Sequence, residues 1–489
     1  MSKSPATVGR LARTVGAALV GDPTVKVSDV VHDSRRATSG ALFVAIRGLT
    51  TDGHRFVDQA IAEGASAVCV EEAVDDRPVP QIVVDDSRAV LGRLAAQVHG
   101  HPSSQLRVVG VTGTNGKTTV TYLLESIITA GGAIAGRIGT TGASVAGRSI
   151  RLERTTPEAS DFQRLLADML EAGADVVASE VSSHAMALGR VDAVSFAVAA
   201  FTNLSQDHLD FHGDMESYFA AKALLFDKAR TKRAVINIDD PGGALLAGMV
   251  DVPVLAVGSD VRASDVELSR SGTRFRLVTP VGSSDVSLPL AGEFNVSNAL
   301  VAAGCALELG VDLDSVTRGL ESVGQIPGRY EIVPGPERFT AVVDYAHTPD
   351  GVRTVIAAAR ALCSGSITVV LGAGGDRDRS KRPAMGAAAS TADRFILTSD
   401  NPRSESPGEI IDSVRAGVDT DAVELIVEAD RRLAIRRALA AAGDGDTVLV
   451  LGKGHEQGQE IGGRIIEFDD RKVVADELAW IEETPCSPC

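Results

Sequence analysis

The sequence predicts an α/β protein of three domains, and three observations carry that expectation. From about Val108 onward, short apolar runs rich in valine and isoleucine alternate with longer helix-like segments, as in a largely parallel sheet covered by helices. At 489 residues the chain exceeds what a single hydrophobic core supports. Hydrophobic residues make up 44 % and charged residues 23 %, which supplies material for several buried cores and argues against disorder.

The elements follow in order. The first hundred residues carry weaker α/β signals and end at His101-Pro102-Ser103-Ser104, a candidate linker. Strands are then expected at 107–111, 175–179, 196–201 and 234–238, each ending in a polar cluster. Such carboxyl ends are where open α/β sheets place their ligands. The segment 331–337, with two prolines and a glycine, reads as a second linker. Beyond it a new series of strands is expected at 340–343, 367–371, 395–398 and 447–451. The predicted domains are 1–105, 106–333 and 334–489, the first smaller than the second.

Composition excludes some functions. A net charge of -17 argues against nucleic-acid binding, which needs a basic footprint, so an anionic substrate must be met by locally placed cations. No run approaches ~18 uninterrupted apolar residues, so no membrane span is expected, and the N-terminus lacks the apolar core of a secretory signal. Cys69, Cys305 and Cys363 lie singly in apolar surroundings, which fits a reducing cytoplasm. Cys486 and Cys489 close the chain as a C-x-x-C with no second ligand pair, and a frayed tail is expected there.

The first chemical motif follows the strand at 107–111. Gly113-Thr114-Asn115-Gly116-Lys117-Thr118-Thr119 precedes a helix expected over 120–130 and closed by Gly131-Gly132. Strand, glycine-rich loop and helix make a phosphate site. Glycines let backbone amides approach phosphate, the helix N-terminus adds positive charge, Lys117 reaches the outer phosphates and the Thr118 hydroxyl can ligate magnesium. The strict pattern would have glycine where Val111 stands, so the loop is a variant form. Glu180 ends the next strand, where a carboxylate could hold magnesium, and His208 follows another strand. Lys222 sits in an apolar helix, where composition alone makes it a snorkelling surface residue. Gly372-Ala373-Gly374-Gly375-Asp376-Arg377 has arginine at the sixth position of G-x-G-x-x-G, which argues against a dinucleotide turn.

Taken in order, GTNGKTT, EVSSH, TNLSQDHLDFHGD, AAKALLF, GEFNVSNAL, DYAHTPD, GGDRDRSKRP, DNPR and GKGHE resemble the motifs of the Mur ligase family, from about residue 30 to 470. The variant loop with Val111 is also the family's form. The resemblance implies a UDP-sugar-binding N-terminal domain, a central P-loop domain that binds ATP, and a Rossmann-like C-terminal domain that binds the amino acid. It implies that ATP phosphorylates the D-glutamyl γ-carboxylate of UDP-N-acetylmuramoyl-L-alanyl-D-glutamate and that an amine of meso-2,6-diaminopimelate then attacks the acyl phosphate, a step in peptidoglycan precursor synthesis. Joining two anions requires cations.

By the same resemblance Lys117, Glu180, His208 and a carbamylated Lys222 are catalytic. Magnesium is held by Thr118, Glu180, His208 and the Lys222 carbamate. Asn295, Asn298, Arg329, Asp344 and His347 join the loop around ATP or link the domains. The UDP-sugar dipeptide falls to Ser34, Leu49, Thr50 and Thr51, with Thr155, Thr156, Ser182 and Arg190 on the central domain. For diaminopimelate the positions are Arg377, Asp400, Asn401, Pro402, Arg403, Gly452 and Glu456, with Glu456 facing the distal ammonium. Diaminopimelate differs from lysine by one carboxylate, and an arginine waiting for it is left unpaired by lysine, a penalty of roughly 10⁴ or more in discrimination. Lysine-adding relatives lack the arginine of DNPR. The rival readings are a lysine-adding ligase of the family, a folylpolyglutamate synthetase-like ligase, and a module that hydrolyses ATP as a switch. A monomer with small-molecule partners is expected.

Overall fold

In the computed structural model, residues 5–48 and 51–483 are described; Leu49, Thr50, Cys486 and Cys489 lie outside them. Three sheets organise the chain. In the N-terminal region β1 (Ala18–Val20), β2 (Asp29–Val31), β3 (Ala41–Val44), β4 (Ala67–Val70) and β5 (Gln81–Val83) form a sheet of order β1-β5-β4-β3-β2, parallel except for β1. Helices α1 (Val8–Val15), α2 (Val57–Ala62) and α3 (Ser87–Val98) accompany it. The candidate linker at 101–104 is a short 3-10 turn, Pro102–Ser104, leading directly into the next sheet.

The central sheet has eight strands: β6 (Arg107–Thr112), β7 (Ala135–Gly139), β8 (Gly142–Val145), β9 (Arg148–Ile150), β10 (Val176–Glu180), β11 (Phe196–Phe201), β12 (Ala234–Asn237) and β13 (Val254–Val257). Their order is β9-β8-β7-β10-β6-β11-β12-β13, with only the β7-β8-β9 end antiparallel. From β6 the chain first goes to the β7 side, returns to β10 beside it, and then crosses to β11 on its other side, so β6 lies at the switch point where α/β sheets open a crevice. The helices are α4 (Lys117–Ala130), α5 (Ala159–Glu171), α6 (Ser183–Ala187), α7 (Leu209–His212), α8 (Met215–Ala223) and α9 (Pro241–Ala247). A three-stranded antiparallel sheet, β14 (Arg262–Ser269), β15 (Gly272–Thr279) and β16 (Gly282–Leu288), precedes α10 (Glu293–Glu308) and α11 (Leu313–Glu321). Side chains of α4, α10 and α11 bury one face with Val109 and Val111, and α5 covers the other with Val108 and Val177. Both faces are apolar, as a covered parallel sheet requires.

Segment 331–337, expected to be a linker, is one only in part. Its first residues form β17 (Glu331–Val333), an antiparallel edge strand of the C-terminal sheet, because the alternating Ile332 and Val333 pair with the next strand before Pro334 ends the ladder. That sheet adds β18 (Thr340–Asp344), β19 (Ile367–Leu371), β20 (Arg394–Leu397), β21 (Glu424–Val427) and β22 (Thr447–Leu451), in the order β17-β18-β22-β19-β20-β21 with five strands parallel. Helices α12 (Pro349–Arg360), α13 (Lys381–Ala389) and α14 (Pro407–Arg415) cover one face, and α15 (Arg431–Ala440) and α16 (Asp470–Glu483) the other. A hairpin, β23 (Gly458–Ile461) with β24 (Arg464–Glu467), stands off the sheet before α16. No helix among the described residues is long and apolar enough to cross a membrane.

Candidate active site

The loop after β6 is shaped by its glycines. Gly113 has φ 145° and Gly116 φ 87°, and a Cβ at these positions would meet Thr202 Oγ1 at 1.9 Å and Asn298 Oδ1 at 2.2 Å. Both must be glycine on conformation and on space. The chain after β11 props the loop from the side: Thr202 Oγ1 donates to Asn115 O at 2.6 Å, Asn115 N to Asn203 Oδ1 at 2.8 Å, and Ser205 N to Thr114 Oγ1 at 2.9 Å. Helix α4 starts at Lys117, three residues before the apolar periodicity begins, and no side chain caps its first turn. Its first amides therefore remain available to an anion. Lys117 Nζ donates to Gly113 O at 2.9 Å and Thr114 O at 2.8 Å; burial lowers its pKa, while Glu180 opposes the shift.

Glu180, at the carboxyl end of β10, is fully buried. Its Oε1 accepts from Thr140 N and its Oε2 from Thr140 Oγ1, both at 2.9 Å. A carboxylate has about four acceptor sites, so further ligands can still reach it. Thr156 Oγ1 donates to the Glu180 carbonyl at 2.9 Å and accepts from Ser182 N at 3.2 Å, while the Ser182 hydroxyl caps α6. Across from Glu180, His208 adopts a left-handed backbone with φ 56° and lies edge-on to His184, ring centroids 4.7 Å apart. Burial pushes its pKa down to about 3, so the imidazole is neutral at ordinary pH. Its neighbour Asp207 meets His347 Nε2 at 3.6 Å and Lys381 Nζ at 3.4 Å, both from beyond β18. Burial would raise the Asp207 carboxyl, but the hydrogen bond from His347 and the surrounding cations outweigh it and hold it well below the usual range.

Lys222 is not a snorkelling surface residue. It is 1 % exposed, its Nζ lies 4.2 Å from the centre of the Tyr218 ring, and it donates to Gly113 O at 2.8 Å, the same carbonyl that Lys117 uses. Desolvation first, and then Lys117, lower its pKa well below the ordinary lysine value.

The far wall of the cavity comes from the C-terminal sheet. Arg329 Nη2 donates to Thr118 Oγ1 at 3.0 Å, and its guanidinium carbon lies 4.5 Å from the centre of the Tyr345 ring. Asp344, at the end of β18, accepts from Tyr330 N at 2.6 Å and Ala346 N at 2.7 Å, and thereby orients the turn that carries His347. Asn298 Nδ2 donates to Asn295 Oδ1 at 3.3 Å, and Asn295, behind it, donates to Ala291 O at 2.8 Å. Together these elements enclose a cavity of about 560 Å³ lined by Lys117, Thr118, Thr155, Glu180, Ser182, His208, Asn298, Arg329, Asp344 and His347, among others. Lys222, Asn295 and Thr156 stand behind that lining.

Of the residues expected to hold the UDP-sugar dipeptide, Thr155 and Ser182 line this cavity. Arg190 donates to Glu158 Oε1 at 3.0 Å and Thr156 O at 3.4 Å. Ser34 lies in the turn after β2 and donates to Gln59 Oε1 at 3.0 Å, and the Thr51 carbonyl accepts from Gly48 N at 2.8 Å. Neither reaches the cavity.

A second cluster forms where the loops after β19, β20 and β22 converge. Arg403, with φ 52°, donates through Nη1 to Gly375 O at 2.6 Å, and its Nε lies 3.4 Å from Glu460 Oε2. A Cβ on Gly374 would lie 3.0 Å from Arg403 Nη1 and 3.9 Å from Arg377 Cγ, so the two arginines flank one strip of backbone. Arg377 is exposed, whereas the Arg403 side chain is 22 % exposed. Gly452, with φ 107°, leaves room for Asp400, whose Oδ2 would lie 2.6 Å from a Cβ there. Pro402 closes on Gly375, whose N donates to Asn401 O at 2.8 Å. Glu456, expected to face a substrate ammonium, already accepts through Oε2 from Asn401 Nδ2 at 2.7 Å and from the buried Lys453 Nζ at 3.0 Å, leaving Oε1. Sequence reasoning missed Lys453, Thr140 and Asp207. The last stands beside His208 in the same motif, and its partners, more than a hundred residues away, gave no local signal.

Among the described residues no group of three or more His, Cys, Asp or Glu has the placement of a metal site. The Glu180 carboxylate, the Thr118 hydroxyl and the neutral His208 imidazole all line the cavity, a sparse set suited to a magnesium ion that keeps waters and substrate phosphates in its shell.

Three family models match the chain: the Mur ligase family, catalytic domain, over residues 26–99, the Mur ligase middle domain over 111–306, and the Mur ligase, glutamate ligase domain over 328–454. A UDP-N-acetylmuramoyl-L-alanyl-D-glutamate--2,6-diaminopimelate ligase of Geobacillus kaustophilus is 44 % identical over 93 % of this chain and 94 % of its own. One of the same name from Streptomyces coelicolor is 44 % identical over 97 % of each. A solved structure bearing that name superposes with a TM-score of 0.69 at 33 % identity, over 98 % of this chain and 100 % of the other.

Proposed function

The chain belongs to the Mur ligase family, and from that premise we propose that it joins meso-2,6-diaminopimelate to the D-glutamyl γ-carboxylate of UDP-N-acetylmuramoyl-L-alanyl-D-glutamate at the expense of ATP. The observation that carries the reading is the meeting of an uncapped phosphate loop, two cations and a buried carboxylate in one cavity beside a separate arginine cluster.

ATP seats its phosphates on the amides of the loop from Gly113 to Thr119. Lys117, which reaches back to the Gly113 carbonyl, and Arg329, which donates to Thr118, neutralise charge as the γ-phosphoryl group moves to the substrate carboxylate. The carboxylate oxygen attacks phosphorus, the bond to ADP breaks, and an acyl phosphate results. The amine of the incoming amino acid adds to the acyl carbon, loses a proton, and expels phosphate. Thr118, Glu180 and His208 would hold magnesium, which when bound supplies charge neutralisation and Lewis acidity. Lys222 is suited to carry a carbamate: addition of carbon dioxide needs a neutral amine and releases one proton, and burial lowers the lysine's pKa in that direction. Thr155, Ser182 and Arg190 hold the dipeptide end, while Ser34 and Thr51 stand toward the nucleotide end.

Diaminopimelate binds at the second cluster, its distal carboxylate on Arg403 and Arg377 and its distal ammonium on Glu456 Oε1. The DNPR arginine favours this over lysine, since Arg403 has only the half-exposed Glu460 as counter-charge at 3.4 Å, and a distal carboxylate adds a planar partner that lysine lacks.

The test is ligation of a dipeptide substrate labelled with oxygen-18 in the γ-carboxylate. One labelled oxygen should appear in the released phosphate for each amide formed; unlabelled phosphate would rule out the acyl phosphate.

A further inference from the structure

The two arginines of the second cluster stand on different loops, so their spacing depends on whatever ties those loops together. Resting on the reading that this cluster binds the amino acid, we infer that Glu405 is a positioning residue for the amino-acid site: with Arg382 it clamps the loop after β19 to the loop after β20 and so sets Arg377 against Arg403.

Glu405 follows the DNPR segment by two residues and is 7 % exposed at its side chain, Arg382 3 %. Its Oε1 accepts from Arg382 Nη2 at 2.9 Å and from Asp376 N at 2.6 Å. Its Oε2 accepts from Arg382 Nη1 at 3.1 Å and lies 3.1 Å from Arg379 Nη2. All the usual acceptor sites of the carboxylate are thus occupied by groups of the other loop or of the start of α13. Arg382 Nη2 also donates to Gly374 O at 3.1 Å, the residue against which Arg377 and Arg403 both lie.

The clamp is reciprocated. Asp376, the neighbour of Arg377, accepts from Ser404 N at 3.1 Å and Ser404 Oγ at 2.7 Å, and Arg403 Nη1 returns to Gly375 O. Asp376 and Arg403 both have left-handed backbones, φ 50° and 52°, a conformation that non-glycine residues hold at a cost and only where surrounding contacts enforce it. The hydrogen bonds of Arg382 hold the Glu405 carboxyl down to about 2, so the clamp is charged at any working pH. Removing one partner of a bidentate pair leaves the other unpaired and frees both loops.

The experiment compares wild type, Glu405→Gln, Ser404→Ala and Arg403→Met in steady-state ligation with meso-diaminopimelate and with L-lysine. For Glu405→Gln the KM for diaminopimelate should rise at least ~10-fold and the diaminopimelate-to-lysine preference should shrink, with the KM values of ATP and the UDP-dipeptide within ~2-fold. Ser404→Ala removes an exposed stitch of the same seam and should shift KM the same way by a smaller factor. It keeps the test open if Glu405→Gln fails to fold. The inference is overturned if the folded variants keep the wild-type KM and preference, or if all KM values and kcat move together as general destabilisation would move them. A wild type that does not favour diaminopimelate, or an Arg403→Met enzyme that keeps the preference, would instead overturn the assignment of the cluster itself.

Discussion

Two lysine nitrogens share the carbonyl of Gly113, Lys117 at 2.9 Å and Lys222 at 2.8 Å, and their closeness is part of what depresses the pKa of Lys222. A charged amine is disfavoured there, so the proposed carbamate would remove the repulsion and put an anion behind the cavity wall. Lys222→Ala and Lys222→Arg should each lower turnover by roughly 10² or more while ADP still binds, by analogy with loss of one preorganised electrostatic group. An alanine enzyme with near-normal turnover would remove Lys222 from the mechanism. Composition alone placed this lysine on the surface, and it is buried, because residue type and helix position do not report what covers a side chain. Glu456 illustrates the reverse case, since its position in GKGHE suggested a carboxylate facing the distal ammonium, while Lys453 and Asn401 already engage one of its oxygens. At the same scale, Arg403→Met should cut the preference for diaminopimelate over lysine by roughly 10² or more, because the cation that the distal carboxylate would pair with is gone.

At the scale of elements, the parallel strands were legible because both of their faces are buried and each reads as a continuous apolar run. Edge and polar-ended elements were not. Strand β17 was masked by Pro334 and Gly335, and the first turn of α4 by Lys117, Thr118 and Thr119, whose amides stay free for phosphate. Nor could sequence reveal what holds the carboxyl end of β22. There Arg431, at the start of α15, donates to both oxygens of Asp470, at the start of α16, at 2.8 and 2.6 Å, and to Leu451 O at 2.8 Å. Both side chains are 0 % exposed. Asp470→Asn leaves a buried guanidinium without its counter-charge and should cost about 3–5 kcal/mol in denaturant unfolding. A loss under about 1 kcal/mol would mean that the backbone carbonyl alone satisfies the arginine.

Across the whole molecule, the site depends on contacts between regions far apart in sequence: Arg329 to Thr118, and Asp207 to His347 and Lys381. These bring cations to the cavity of a chain whose net charge is -17. Histidines in two places, the adjacent His184 and His208 and the distant His455, also make stability depend on pH. His184 is pushed down to about 4, and His208 and His455 to about 3, mainly by burial. Their unfolded value is 6.5, so the unfolded chain binds protons first as pH falls. Stability should therefore be level above pH ~7 and decline from about 6.5 downward, before most carboxylates titrate. Thermal unfolding between about pH 7.5 and about pH 5 should show a falling Tm in wild type and a shallower fall in His455→Gln; an unchanged Tm would contradict the burial of neutral imidazoles. The most direct measurement is ligation by the intact protein with ATP, magnesium and UDP-N-acetylmuramoyl-L-alanyl-D-glutamate, offered meso-diaminopimelate or L-lysine in parallel. Tripeptide product with one ADP per amide and strong preference for diaminopimelate is the predicted result; equal turnover of lysine, or ADP release without an amide, would contradict it.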